Sequence, residues 1–281
     1  MKKKIIFAPQ KYGAGFEGLD LISGYLTKHI KPDITVLSFL LKENVSLNNL
    51  KNLQSVVSYT NQLATVISNI IKNNEMPITI GGDHSISMGT VFGVASEIEN
   101  LGVIWIDAHG DMNTDETTIT GNIHGMPLAV LQGLGNKELI NAYKSGLKIP
   151  TQNIVIYGVR DLDDKEKELM DSIGIYYVPF IDIKKRGLET TLKESIIYLK
   201  EKTNKLHISF DLDVLNPEVI PGVSVPVKDG LLPEEIYWIF DQLFKLFNVS
   251  SVDIVEYNPR FDKNNKTLDF ISFLFNKINN Y

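Results

Sequence analysis

The stretch Val103–Asp111, Val-Ile-Trp-Ile-Asp-Ala-His-Gly-Asp, joins an apolar run directly to a cluster of polar side chains. Val103–Ile106 is short, apolar and rich in β-branched residues, which is typical of a buried strand. Asp107, His109 and Asp111 follow it without an intervening loop. An isolated buried carboxylate is very costly. We therefore expect these acids to be paired or bound to a metal.

Similar apolar runs recur along the chain and alternate with amphipathic stretches. The other predicted strands are Lys4–Ala8, Ile34–Leu40, Met76–Ile80, Asn153–Val159, Ile175–Val178, Leu206–Phe210 and Val252–Val255. Helical spacing of apolar residues predicts helices over Leu50–Asn73, Leu188–Lys200 and Pro233–Phe247. This alternation predicts an α/β fold with a mostly parallel sheet covered on both faces. Because no linker or repeat interrupts the pattern, we expect a single domain over residues 1–281.

Three other predicted strands also run into acids or histidine. Their polar ends are His84, the pair Asp211 and Asp213, and Glu256. In an open parallel sheet, ligands bind outside the carboxyl ends of the strands. The sequence therefore predicts a functional site at that edge.

Six of these side chains are candidate metal ligands, and they form a hard, oxygen-rich set. They are His84, Asp107, His109, Asp111, Asp211 and Asp213. Such a set suits Mn²⁺ or a similar ion, and the absence of cysteine excludes thiolate sites. Two divalent cations would formally neutralise the four carboxylates, and six side chains can fill two metal shells only if some aspartates bridge the ions. A solvent molecule between the ions would have a strongly lowered pKa.

Composition and motifs exclude several classes of function. The net charge of −6 gives no electrostatic support to nucleic-acid binding, and no apolar window is long enough for a membrane span. The apolar run near the N-terminus is too short for a signal peptide, so we expect a cytoplasmic protein. Gly13–Gly18 matches the GxGxxG pattern, but Pro9–Tyr12 separate it from its strand. We interpret it as a flexible rim loop rather than a dinucleotide site.

The chain resembles the ureohydrolases, a family that includes arginase, agmatinase and formimidoylglutamase. The motifs that carry the resemblance are Gly81–Ser85, Trp105–Thr114, Gly121–Pro127, Ser209–Pro217 and Glu256–Pro259. The resemblance implies a three-layer α/β/α fold with about eight parallel strands. It also implies two Mn²⁺ per chain and a metal-bridging hydroxide that attacks a guanidino or formimino carbon.

The same resemblance implies a role for each site residue. One ion would be held by His84, Asp107, Asp111 and Asp211, and the other by His109, Asp107, Asp211 and Asp213. Glu256 would orient the guanidinium group and His124 would shuttle a proton to the leaving amine. From the residues alone, Glu256 could instead pair with Arg160 or Arg260, and His124 could be a loop histidine outside the site.

The substrate-reading loops look most like those of arginases. By resemblance, Asn113, Thr120 and Asn122 would receive an α-carboxylate, and Asp163 and Glu166 would receive an α-ammonium group directly or through water. These features imply that L-arginine is hydrolysed to L-ornithine and urea. The alternative for Asp163 and Glu166 is a solvated helix start, where acids are favourable with any substrate.

Three positions depart from the arginase pattern: Val214 replaces glycine, Asn216 replaces aspartate and Val225 replaces threonine. They leave open agmatine, formiminoglutamate or another guanidino compound as substrate. A non-catalytic ureohydrolase-like binding protein also remains open. The resemblance further implies a homo-oligomer, either a trimer or a hexamer.

Overall fold

The computed structural model describes residues 1–41 and 50–281. Eight strands in these residues form one sheet. They are β1 (Lys2–Ala8), β2 (Ile34–Thr35), β3 (Glu75–Gly81), β4 (Gly102–Ile106), β5 (Ile154–Val159), β6 (Tyr176–Pro179), β7 (Lys205–Asp211) and β8 (Asn248–Val255). Neighbours run parallel in the order β2-β1-β3-β8-β7-β4-β5-β6. The predicted parallel sheet is therefore confirmed.

Helices join the strands on both sides of the sheet. The α-helices of the described residues are α1 (Ile22–Leu26), α2 (Leu53–Lys72), α3 (Ile86–Ala95), α4 (Pro127–Leu131), α5 (Lys137–Ile140), α6 (Asp164–Ile173), α7 (Phe180–Arg186), α8 (Leu188–Lys200), α9 (Pro233–Leu246) and α10 (Lys266–Asn280). Short 3-10 helices occupy Leu19–Leu21, Ile123–Gly125, Thr151–Asn153 and Leu212–Val214. Within residues 1–41 and 50–281, none of the helices has the length and apolarity needed to cross a bilayer.

The alternating side chains of each strand divide the core into two apolar clusters. On β4, Ile104 and Ile106 belong to a cluster with side chains of α1 and α7 to α10. Val103 and Trp105 belong to the opposite cluster, which includes side chains of α2 to α6. Because successive strand side chains point to opposite faces, one sheet is covered by helices on both sides. The three-layer α/β/α fold is therefore confirmed.

The helical spacing in the sequence identifies three of the long helices within a few residues, whereas the 15-residue α10 was not among the predicted helices. Along α2, Leu53, Leu63 and Ile67 lie on the buried face, at the spacing that amphipathic helices require. The three predicted helices correspond to α2, α8 and α9. Pro233 occupies the first turn of α9, as its fixed φ angle favours.

The predicted strand over Ile34–Leu40 is wrong in its extent. Only Ile34 and Thr35 pair with β1, as the edge strand β2. Leu37, Phe39 and Leu40 are 53%, 65% and 61% exposed, so this apolar run leaves the sheet and lies at the surface. A run of apolar residues predicts burial only when a neighbour covers it, and an edge strand has a partner on one side alone.

The topology places the polar strand ends together. The strands that end at His84, Glu256, Asp211 and Asp107 are β3, β8, β7 and β4, which are consecutive neighbours in the sheet. Parallel neighbours lie about 4.8 Å apart, so side chains following their carboxyl ends come within contact distance. This central edge is where the candidate site lies.

Candidate metal centre and active site

The first group of candidate ligands surrounds one ring nitrogen of His84. Nδ1 of His84 lies 3.0 Å from Oδ2 of Asp107, 3.0 Å from Oδ2 of Asp111 and 3.0 Å from Oδ2 of Asp211. His84 Nδ1 and Asp111 Oδ2 are buried, and within the described residues neither makes a hydrogen bond. Buried polar atoms without a partner are costly, whereas a cation between them would satisfy the whole group. The donor set therefore fits a metal ion.

A second group lies beside the first and shares one aspartate with it. Nδ1 of His109 lies 3.0 Å from Oδ2 of Asp213 and 3.5 Å from Oδ1 of Asp107. Donor atoms of these three residues lie within 4.8 Å of one another. Asp107 thus presents one oxygen to each group, which is the arrangement of a bridging carboxylate.

Asp211 has a less symmetrical position. Its Oδ2 belongs to the first group, while its Oδ1 accepts a hydrogen bond of 2.8 Å from the backbone N–H of Asp213. A bridging role for Asp211 stays a prediction.

The charges of the cluster strongly perturb its protonation. Burial raises the pKa of Asp211 and of Asp213, because the charged forms lose their hydration. Burial also lowers the pKa of His84, but the surrounding carboxylates, Asp111 first, outweigh it and hold that pKa well above its usual value. A divalent ion bound here would supply positive charge to the same carboxylates.

Two further residues fix the ligands in place, and the sequence analysis assigned no role to either. Trp105 donates from Nε1 to Oδ2 of Asp107 at 3.0 Å, and its ring stacks on that of His84 with centroids 4.2 Å apart. Ser209 Oγ lies 2.8 Å from Nε2 of His84. One signal was available: Trp105 lies two residues before Asp107, so strand alternation places both on the same side.

Glu256 connects the ends of β3 and β8 and also contacts His124. Its Oε1 accepts a 2.8 Å hydrogen bond from the backbone N–H of His84 and lies 3.1 Å from Nδ1 of His124. Burial lowers the pKa of His124, but the hydrogen bond that His124 donates to the Glu256 carboxylate helps to raise that pKa above its usual value. The geometry thus brings Glu256 and His124 together beside the candidate ligands.

The alternative pairing of Glu256 with Arg160 is wrong. The Arg160 guanidinium instead donates to the backbone carbonyls of residues 213–215 and 227–229. Arg160 therefore holds the loop after β7 against the end of β5.

One cavity of about 350 Å³ contains most of the predicted site residues. Its lining includes the candidate ligands His84, His109, Asp111, Asp211 and Asp213, together with His124, Glu256, Asn113, Thr120, Asn122, Asp163 and Glu166. Asp107 lies behind this surface, fully buried. Phe16 from the Gly13–Gly18 loop also lines the cavity, which agrees with the interpretation of that loop as a rim.

Asn113 and Asp163 meet across the cavity wall. Asn113 donates from Nδ2 to Oδ2 of Asp163 at 3.0 Å. An amide and a carboxylate side by side match a substrate that carries a carboxylate and an ammonium group on one carbon atom.

Glu166 is buried, which disagrees with the alternative that it is a solvent-exposed acid at a helix start. Its Oε1 accepts from the backbone N–H of Met112 at 2.8 Å, and burial raises the pKa of Glu166 to about 7. It also completes a capping box with Asp163 at the start of α6. Glu166 therefore supports the backbone next to Asp111 in addition to lining the cavity.

Known proteins match this chain over the whole sheet, including the strand ends that carry the candidate site. The family model described as the arginase family matches residues 6–277. The chain belongs to the arginase family.

Individual members of the arginase family agree with this assignment. The chain is 41% identical to the arginase of Bacillus caldovelox over 220 residues, which cover 78% of this chain and 74% of that protein. A crystal structure of arginase from Bacillus subtilis gives a TM-score of 0.91 at 32% identity and covers 100% of this chain and 98% of that one. A crystal structure of Entamoeba histolytica arginase in complex with L-ornithine gives 0.87 at 32% identity, covering 98% and 99%.

Two of the three departures from the arginase pattern lie outside the cavity. Val214 is buried, and its Cγ2 lies 2.6 Å from the point that a Cβ on Gly158 would occupy, so Gly158 makes room for it. Asn216 accepts from the backbone N–H of Glu218 at 2.9 Å, an interaction that aspartate would also make. Only Val225, among these three, lines the cavity.

Proposed function

We propose that this chain hydrolyses L-arginine to L-ornithine and urea with two Mn²⁺ ions, and that residues 1–281 form one catalytic domain. The observation that carries the proposal is the shared cavity. It joins a carboxylate–imidazole cluster to an amide–carboxylate pair suited to an amino acid. The arginase-family relatives and the L-ornithine in the Entamoeba histolytica complex support the choice of substrate.

The six proposed ligands would be shared between two ions. His84, Asp107, Asp111 and Asp211 would hold one ion, and His109, Asp107 and Asp213 would hold the other, together with Asp211 as a second shared carboxylate. Two divalent ions neutralise four carboxylates, and the mixed oxygen and imidazole ligands suit Mn²⁺. When bound, such ions lower the pKa of a water molecule and so supply a nucleophile at neutral pH.

The residues around the cluster position the substrate and the proton. Glu256 accepts hydrogen bonds from the guanidinium N–H groups and fixes the plane of that group, in a site where Glu256 itself is buried. His124 is held by Glu256 through Nδ1, which leaves Nε2 to deliver a proton to the leaving amine.

A separate group of side chains binds the amino-acid end of the substrate, opposite the guanidinium group. Asn113, Thr120 and Asn122 bind the α-carboxylate, and Asp163 and Glu166 bind the α-ammonium group directly or through water. Agmatine lacks the carboxylate and would leave Asn113, Thr120 and Asn122 without a partner. The binding free energy lost in this way discriminates against agmatine.

The valine at position 225 favours a second candidate substrate. Its apolar side chain faces the cavity where threonine is usual, so a hydrogen bond of about 1 kcal/mol to the guanidino group is lost. A different guanidino or formimino compound is therefore the alternative substrate. We also propose, on the family resemblance alone, that the protein is a cytoplasmic homo-oligomer with a small-molecule substrate.

Urea release tests the function. The Mn²⁺-loaded protein should release urea from L-arginine with a larger kcat/KM than from agmatine, and formiminoglutamate should be a poor substrate. Asp107→Ala should lose both bound manganese and activity. Bound metal with no urea from L-arginine would overturn the proposal, and faster turnover of agmatine would favour the alternative.

A further inference from the structure

The cavity has an unbalanced set of charges for a substrate that carries a carboxylate. Among the described residues that line it, seven are acidic and none is lysine or arginine. The acidic residues are Asp111, Asp161, Asp163, Glu166, Asp211, Asp213 and Glu256. The proposed metal ions compensate Asp111, Asp211 and Asp213, and the substrate guanidinium compensates Glu256. Asp161, Asp163 and Glu166 remain, and the α-ammonium group of the substrate supplies a single positive charge to these three carboxyl groups. A substrate carboxylate beside them meets negative potential unless a further cation lies close to its binding groups.

Lys51 is a cation attached to the rim of this cavity. It lies just before α2, and its Nζ donates to Oδ1 of Asn122 at 2.9 Å. The backbone N–H of Lys51 also donates to the carbonyl of Gly121 at 3.0 Å. Both the backbone and the side chain of Lys51 are thus fixed to the segment that carries Asn122, a residue of the cavity lining.

The hydrogen bond from Lys51 has a defined effect on Asn122. An asparagine amide has one acceptor end and one donor end, and Lys51 occupies the acceptor Oδ1. Nδ2 is left as the donor, which is the end that binds a carboxylate. The lysine ammonium uses one of its three N–H groups in this bond and keeps two.

We propose that Lys51 is a specificity-determining residue for substrates with an α-carboxylate. Its ammonium attracts the carboxylate to the rim, and its hydrogen bond turns the donor end of Asn122 toward it. This inference rests on the proposed hydrolysis of an amino-acid guanidine, but it concerns substrate selection and not the chemical step. Lys51 is remote in sequence from the motifs of the site, 71 residues from Asn122.

Binding of two related diamines separates the carboxylate from the rest of the ligand. L-Ornithine carries the α-carboxylate and putrescine is the same diamine without it. Calorimetric titration uses the full-length, Mn²⁺-loaded protein and its Lys51→Met variant. We expect Lys51→Met to bind L-ornithine about fivefold more weakly, the magnitude of an exposed ion pair, and to bind putrescine unchanged. Lys51→Arg keeps a charge and an N–H donor, so it should retain most of the preference.

Steady-state kinetics gives a second measurement. In Lys51→Met, KM for L-arginine should rise by a similar factor while kcat stays constant, and added salt should weaken arginine binding less than in the unsubstituted protein. Lys148→Met is the matched control, because Lys148 is exposed and lies on the loop entering β5 at the opposite edge of the sheet. Lys148→Met should alter neither the ornithine affinity nor KM.

The outcomes distinguish this inference from the proposed function. If the unsubstituted protein releases urea from L-arginine but Lys51→Met binds both diamines as before, the inference about Lys51 is overturned and the function stands. Equal losses for ornithine and putrescine would also overturn it, because the carboxylate would not be what Lys51 recognises. If the unsubstituted protein releases no urea from L-arginine, the proposed function fails, whatever the diamine titrations give.

Discussion

Replacing Glu256 with glutamine tests the proposed orientation of the guanidinium group. The change keeps the shape of the side chain and an Oε1 atom that can accept from the backbone N–H of His84, but it removes the negative charge. Glu256 is 3% exposed, so its interaction with a guanidinium would be shielded from water. Hydrogen bonds to charged groups contribute about 1.5–3 kcal/mol, which predicts a decrease in kcat/KM of about 10- to 150-fold.

The assay is urea release from L-arginine by the Mn²⁺-loaded variant, together with its manganese content. Metal content should stay constant, because no ligand atom is changed. The pKa of His124 in the pH–rate profile should fall, since the Glu256 carboxylate is one of the groups that raise it. These readouts separate a role in substrate orientation from a general loss of structure.

Glu235→Gln is the matched control for this experiment. Glu235 also accepts from a backbone N–H, that of Leu232 at 2.8 Å, but it does so at the start of α9 and outside the cavity. Its substitution should leave kcat/KM unchanged. The reasoning is refuted if Glu256→Gln keeps full activity. A loss of manganese would refute it as well, because Glu256 would then act on the metal centre through His84.

Three further predictions concern stability. Removing metal with a chelator should lower the melting temperature by about 10–20 °C relative to protein at 100 times Kd, where each of the two proposed ions contributes about 2.7 kcal/mol. Re-adding Mn²⁺ should restore the melting temperature, and an unchanged melting temperature would contradict the metal centre. Arg160→Met should lower the free energy of unfolding by about 3 kcal/mol in urea titrations, because six backbone carbonyls lose their shared donor. The free energy of unfolding of Arg160→Lys should lie between those of Arg160→Met and the unsubstituted protein. Burial raises the pKa of Asp253 from 3.8 to about 7, so its ionisation destabilises the fold as pH rises through that window. In chelated protein, Asp253→Asn should therefore gain stability relative to the unsubstituted chain between pH 4 and 7, by up to about 4 kcal/mol, and a pH-independent difference would contradict this.

The metal cluster could be predicted from the sequence because its residues obey a local rule. Asp107, His109 and Asp111 follow a strand whose apolar composition is evident, and Asp211 follows another. Once the strands are parallel, their carboxyl ends lie at one edge, whatever their order. The structure adds that β3, β8, β7 and β4 are consecutive neighbours, which depends on pairings between distant segments and has no local signature.

The supporting contacts could not be predicted for the same reason. Glu166 binds the backbone of Met112, 54 residues away, a contact that its position at a helix start does not indicate. The apolar run after Ile34 was predicted wrongly. Leu37 and Phe39 have the composition of a buried strand, yet no element in the described part of the chain covers them. Sequence composition reports the tendency to be buried, whereas burial itself depends on a neighbour from elsewhere in the chain.

Glu256 has a strained backbone at the end of β8. Its φ angle is 64°, a region that glutamate seldom adopts and that costs about 1 kcal/mol or more, whereas the φ of 51° at Asp111 is one that aspartate tolerates. The contacts that Glu256 makes must therefore compensate. Glu256 donates from its backbone to the carbonyl of Gly82 at 2.8 Å while its side chain accepts from His84. These two bonds run in opposite directions between the ends of β3 and β8. The left-handed turn at Glu256 is thus accompanied by a carboxylate that reaches back to the backbone of His84, which places the proposed guanidinium-binding group beside the candidate metal centre.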